Sequence, residues 1–254
     1  MPSGQPHLYW ANNSGLSHTI GGANLDGTGS SPTLIDTGFL GPCGVAVDAT
    51  YIYWATETGG TIGRARLDGS KVDQNFIPGL NAPCGVAVDA GHVYWASTSD
   101  GTIGRANLDG TSVKPNLITG LVEPSGVAVD GGHIYWGGPY GIVGRANLDG
   151  SGSNPRFISG VDTFNGVAVT SKYIYWAGTK SLGRANLDGT GVNPTFVTGV
   201  VDGCGVTVDA AHIYWANDPS DGATTIGRAN IDGTGANQAF IGGASGPCGV
   251  AIQP

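Results

Sequence analysis

Six Tyr-Trp pairs end at Trp10, Trp54, Trp95, Trp136, Trp176 and Trp215, spaced 44, 41, 41, 40 and 39 residues, and they hold every tryptophan of the 254-residue chain. Two further markers keep the same beat. Leu/Ile-Asp-Gly carries its aspartate at Asp26, Asp68, Asp109, Asp149, Asp188 and Asp232, and Gly-Val-(Ala/Thr)-(Val/Ile) begins at Gly44, Gly85, Gly126, Gly166, Gly205 and Gly249. A repeat of about 40 residues confines a chain to architectures in which each copy is one supersecondary unit that buries its apolar face against its neighbours.

Within a copy the segments "GVAVD", "HIYWA", "TIGRANL" and the "NLITG" type are short, rich in β-branched and aromatic residues, and bounded by Gly, Asp, Asn and Pro. Four strands of about five residues with tight turns fill about 40 residues. No segment has apolar residues at helical spacing. The spacing therefore predicts an all-β fold: a six-bladed β-propeller with four-stranded blades, which protects its sheet edges by radial repetition. A linear solenoid fits less well, because neither end reads as a polar cap.

The chain opens on "HLYWA" and closes on "GPCGVAIQP", so the last segment supplies the innermost strand of the first blade and closes the ring by strand pairing. The expected organisation is a single domain over 1–254: blade 1 from 247–253 plus 7–36, then blades at 42–78, 83–119, 124–159, 164–198 and 203–241.

The phrase "IYWA…IGRANLDG…P.GVAVD" resembles the YWTD repeat, or LDL-receptor class B repeat, from His7 to Ile252. That resemblance implies a six-bladed propeller. The chain departs from it after Tyr-Trp, where Thr-Asp is replaced by Ala-Asn, Ala-Thr, Ala-Ser, Gly-Gly, Ala-Gly and Ala-Asn. A looser likeness to NHL-type and streptogramin-lyase-type propellers adds an enzymatic alternative. Propellers of this broader kind mostly bind proteins or glycans, and fold likeness does not choose among functions.

Residues common to all copies read as structural. His92, His133 and His212 share a slot with His7, Tyr51 and Tyr173, which calls for a flat, partly polar ring rather than a metal ligand. The arginine of "GRA" (Arg64, Arg105, Arg145, Arg184, Arg228; Gly22 in the first copy) reads as a hydrogen-bonding strut. Asp48, Asp89, Asp130 and Asp209 are expected to accept backbone N–H bonds where the first strand ends.

All four cysteines, Cys43, Cys84, Cys204 and Cys248, fall just before the "GVAV" glycine, with Ser125 and Asn165 in the other two copies. The six side chains are expected to ring one mouth of the channel in the order Cys204, Cys248, Cys43, Cys84, Ser125, Asn165. The leading reading is a small residue filling a crowded mouth. Disulfides between adjacent blades and a thiolate metal site are the other two. The loops between second and third strands lie on the same face and differ in every copy. "GGPYG" carries Tyr140, and the longest, Asn217 to Thr225, carries Asp218 and Asp221. Variable loops on a rigid ring are the usual place for recognition.

With a net charge of −8, the chain lacks the clustered cations a phosphate backbone requires. No apolar run reaches the ~20 residues that span a bilayer. The start lacks the basic and apolar pattern of a signal peptide; a secreted chain without its signal would read the same, and a secreted setting is the expectation. The non-repeated titratable residues are His18, Glu57, Glu123, Asp162, Asp202, Asp218 and Asp221. His18 and Glu57, in adjacent copies, are the catalytic candidates if the chain is a lyase or hydrolase, but no catalytic motif fixes them. The expected function is a non-catalytic, monomeric binding or scaffold module without cofactor or metal. Its ligand is a protein or glycan, met at the face holding Cys43, Cys84, Ser125, Asn165, Cys204, Cys248, Tyr140, Asp218 and Asp221. The near-identity of the copies, which fits recent amplification or engineering, raises a further alternative. That is a multivalent lectin using each blade's Trp, Asn and Asp.

Overall fold

The computed structural model describes residues 7–14, 18–38, 40–162, 166–218 and 224–253. The described residues form six sheets, each of four antiparallel strands, with no helix. Blade 3 shows the plan, running outward through Pro83–Val88, His92–Ser97, Thr102–Asn107 and Lys114–Ile118. The innermost strands are Pro42–Val47, Pro83–Val88, Val127–Val129, Val167–Val169, Gly203–Val208 and Pro247–Ile252, and each touches the next around a closed ring.

Closure follows the predicted route. Pro247–Ile252 pairs antiparallel with His7–Asn12, with Leu8 opposite Ile252 and Trp10 opposite Val250. Gln253 N donates to His7 O and Asn13 N to Gly246 O, extending the ladder at both ends.

The core is shared out between blades. All six tryptophans are buried, as are Tyr9, Tyr53, Tyr94, Tyr135, Tyr175 and Tyr214. Each tryptophan lies over the glycine directly opposite it on the third strand: Gly21, Gly63, Gly104, Gly144, Gly183 or Gly227. A Cβ there would collide with the indole. The glycine of "IGRAN" is thus the floor of a ring-sized slot. Buried this way, the tryptophans present no face to a sugar, which overturns the reading of them as lectin platforms.

The expected caps are present, and so are the struts at Arg64, Arg105, Arg145 and Arg228, whereas Arg184 makes no inter-blade bond among the described residues. Arg64 Nη1 donates to Leu108 O of the next blade at 2.9 Å and Arg105 Nη1 to Leu148 O at 2.9 Å. Asp89 Oδ1 accepts from Gly91 N and His92 N, while its Oδ2 accepts from the Tyr94 hydroxyl at 2.8 Å. In the first and sixth blades the slot where YWTD repeats carry aspartate holds an asparagine that braces its own blade. Asn217 Nδ2 donates to Thr225 Oγ1 and Gln238 O, and Asn12 Nδ2 donates to Thr19 Oγ1 and Pro32 O.

Candidate functional site

The channel mouth is built by the glycine after each cysteine position. A Cβ on Gly44, Gly85 or Gly205 would run into the carbonyl oxygen of Cys84, Ser125 or Cys248 on the next blade, and one on Gly249 would meet the Gly44–Val45 backbone. Only residues without side chains let the innermost backbones approach this closely. The consequence is a correction to the leading reading of the cysteines. Cys43 and Cys84 have Cα atoms 4.9 Å apart and Cys204 and Cys248 4.8 Å, well inside the span a disulfide bridges, and both pairs are bonded. They are covalent staples between neighbouring blades rather than small fillers. The predicted ring order holds: Cys204 joined to Cys248, then Cys43 joined to Cys84, then Ser125. Asn165 lies outside the described residues.

Above these staples opens a basin of about 390 Å³, floored by the four half-cystines and Ser125 and walled by Glu57, Glu123, Asp202 and Asp218. Beneath, the channel narrows to a cavity of about 50 Å³ at the glycine ring. The described lining carries four carboxylates and no Lys, Arg or His. Burial first, then the neighbouring Asp202 charge, pushes the Asp218 carboxyl above the usual carboxylate range.

The backbone at this wall is unusual. Glu123 and Asp202 occupy the loop position two residues before Ser125 and Cys204, in the left-handed region at φ 41° and 46°. Ala82 (φ 46°) and Gly246 (φ 57°) occupy the same position in two other copies, and only the glycine is at ease there. Holding a carboxylate-bearing residue in this conformation costs on the order of 1 kcal/mol or more. The sequence signal for Glu123 and Asp202 is a carboxylate at a repeat position held in the other copies by Gly41, Ala82, Thr163 and Gly246.

Tyr140, at φ 64° and 83% exposed, stands on the same face beside Pro139 of the basin lining, and Val122 and Val201 are also exposed in the loops bearing Glu123 and Asp202. Of the two catalytic candidates, Glu57 lines the basin. His18 does not; it sits beside Gly41, with its carbonyl accepting from Thr37. Asp162 accepts from Thr179 N and Oγ1. Asp221 lies outside the described residues.

No protein-family profile matches the chain, and no curated protein matches it by sequence. Solved structures match across nearly its whole length. A chain of a nidogen/laminin complex is similar at TM-score 0.82 and 19% identity, over 97% of this chain and 98% of that one. Virginiamycin B lyase from Staphylococcus aureus is similar at TM-score 0.64 and 15% identity, over 95% of this chain and 87% of that one. A gluconolactonase from Xanthomonas campestris is similar at TM-score 0.62 and 17% identity, over 82% and 83%. At these identities the likeness establishes the propeller fold.

Proposed function

We propose that the chain is a non-catalytic binding module whose mouth-face basin captures a cationic segment of a protein partner. The observation that carries this reading is a wall whose described charged residues, Glu57, Glu123, Asp202 and Asp218, are all acidic, around a floor made rigid by two disulfides. A preorganised carboxylate basin with partly desolvated walls favours Lys or Arg side chains and repels anionic ligands. Exposed Tyr140, Val122 and Val201 supply apolar contact at the rim, where such anchors add to affinity. The nidogen/laminin complex, in which a similar fold occurs with a protein partner, accords with a protein ligand. The lyase alternative is not favoured, because His18 is absent from the basin lining while Glu57 is in it.

The test is calorimetric titration with Lys/Arg-rich and Glu-rich peptides of matched length, alongside a glycan array. One site per chain for the basic peptide, weakened by salt and lost in Glu123→Gln/Asp202→Asn/Asp218→Asn, supports the reading. Salt-insensitive binding of neutral glycans, or equal binding of both peptides, sinks it.

A further inference from the structure

Among blades 2 to 6, one seam on the face opposite the mouth breaks the repeat. In blades 2, 3, 4 and 6 the loop from the innermost to the second strand begins with Asp48, Asp89, Asp130 and Asp209; in blade 5 it reads Thr170-Ser171-Lys172. One carboxylate is lost and one ammonium gained. In those siblings the aspartate accepts the hydroxyl of Tyr53, Tyr94, Tyr135 or Tyr214. Thr170 Oγ1 instead accepts from Tyr173 N and leaves the Tyr175 hydroxyl without a carboxylate.

The strut is also missing at this seam. Arg64, Arg105, Arg145 and Arg228 each donate to a carbonyl of the next blade, those of Leu108, Leu148, Leu187 and Leu25. Arg184 makes no such bond across to the described residues of blade 6. Its guanidinium is held in place by stacking on Tyr173 at 4.3 Å and Phe196 at 3.9 Å. In front of it lies a cavity of about 390 Å³, lined from blade 5 by Thr170, Ser171, Lys172, Tyr173, Tyr175 and Arg184 and from blade 6 by Asp209 and Asp232 among others. Both of those carboxylates are engaged: Asp209 by Ala211 N, His212 N and Tyr214, and Asp232 by Thr234 N and Oγ1.

We propose that this cleft between blades 5 and 6 is a binding site for a small organic oxyanion, distinct from the acidic basin. Arg184 and Lys172 meet the anionic group, the Thr170, Ser171 and Tyr175 hydroxyls complete its hydrogen bonds, and the ring of Tyr173 contacts the ligand body. A guanidinium fixed by aromatic stacking, partnered by the Tyr175 hydroxyl and carrying no carbonyl of the next blade, keeps N–H groups for a planar or tetrahedral oxyanion. The cavity is of the size that small-ligand sites occupy.

The test uses the full chain with benzoate and phenyl phosphate as anionic probes, and benzyl alcohol and benzylamine as neutral and cationic controls, each titrated by calorimetry. Thr170→Asp/Lys172→Ala restores the sibling loop, gives Tyr175 its carboxylate, and is expected to fold at least as stably. One anion site per chain, weakened tenfold or more by that double variant and by Arg184→Gln, with no binding of the controls, is the expected result. A preference for benzoate assigns a carboxylate ligand, and one for phenyl phosphate a phosphate ester. No anion binding at millimolar concentration, or binding that survives the double variant, overturns the proposal.

Discussion

At the scale of single residues, this fold is governed by where side chains are absent. Gly104 is needed because Trp95 lies on it, so Gly104→Ala forces the indole out of a fully packed slot. Overpacking of this kind costs about 1–3 kcal/mol. Gly131 has open space around it, and Gly131→Ala is expected to be neutral within about 0.5 kcal/mol or slightly stabilising. Urea midpoints of the two variants check the contrast; equal midpoints would mean the tryptophan slot is slack. The aspartates make a second residue-scale prediction. Burial by itself raises the carboxyls of Asp89 and Asp130, yet the backbone N–H groups and tyrosine hydroxyls they accept outweigh it and hold both below the usual range. The exposed turn residues Asp109, Asp188 and Asp232 are also lowered, chiefly by the hydroxyl and N–H of the residue two places on. A carboxyl depressed in the folded state stabilises the fold fully above its unfolded pKa, about 4 for aspartate, and loses that contribution as pH falls through the folded value. Stability is expected to be flat from pH 5 to 7 and to fall steeply below 4, with a shallower fall in Asp89→Asn; an unchanged slope in that variant would remove Asp89 from the account.

At the scale of elements, the seams between blades carry the variation. Arg64 joins blades 2 and 3 by a bond to Leu108 O and stacks on Phe76 of its own blade at 3.8 Å, whereas Arg184 stacks without the inter-blade bond. Arg64→Ala orphans a part-buried carbonyl and is expected to cost about 2–3 kcal/mol, and Arg184→Ala about 1 kcal/mol less, since no inter-blade bond is lost. Thermal denaturation of the pair measures it; a larger loss at Arg184 would show that its stacking is the stronger tie. Much of this level was legible in the sequence. The strut role of the arginines follows from their recurrence, and the capping role of Asp89 and its siblings from its place at a strand end. Disulfides between adjacent blades are an alternative in the sequence and not its leading reading, because the separation of neighbouring innermost strands depends on the glycine beside each cysteine. In linear order Gly44, Gly85, Gly205 and Gly249 are members of a strand phrase, and only the ring shows them as the reason two backbones approach within disulfide reach. The acidic basin was half legible: Asp218 stood out in a long loop, but Glu123 and Asp202 belong to it only because their loops converge across blades, which linear order does not display. The same holds for Thr170-Ser171-Lys172, whose difference matters once Arg184 is seen without its strut.

At the scale of the whole molecule, the ring has two kinds of closure, and they fall at different seams. Backbone pairing joins Pro247–Ile252 to His7–Asn12, while Cys248 ties that same strand to Cys204 of blade 6, its neighbour along the chain. The disulfide therefore does not close the ring; it holds the closing strand in position for His7–Asn12 to pair with. Breaking it and removing the strand are predicted to differ in kind. Cys204→Ser/Cys248→Ser frees a loop whose ends lie 44 residues apart, expected to cost about 4 kcal/mol in the chain-entropy account, while the ladder of Leu8 with Ile252 and Trp10 with Val250 persists and the assembly state matches that of the parent chain. Deleting residues 245–254 instead exposes the edge of His7–Asn12 and uncovers Trp10, and an unpaired edge next to apolar surface recruits other chains. Size-exclusion chromatography is expected to give the parent chain's elution volume for the double serine variant and larger species or aggregate for the truncated chain, with the parent's elution restored by adding a peptide of residues 245–254 but not its scrambled form. A truncated chain that keeps the parent's elution volume with an unchanged Tm would mean that packing between blades, and not strand pairing, holds the ring shut.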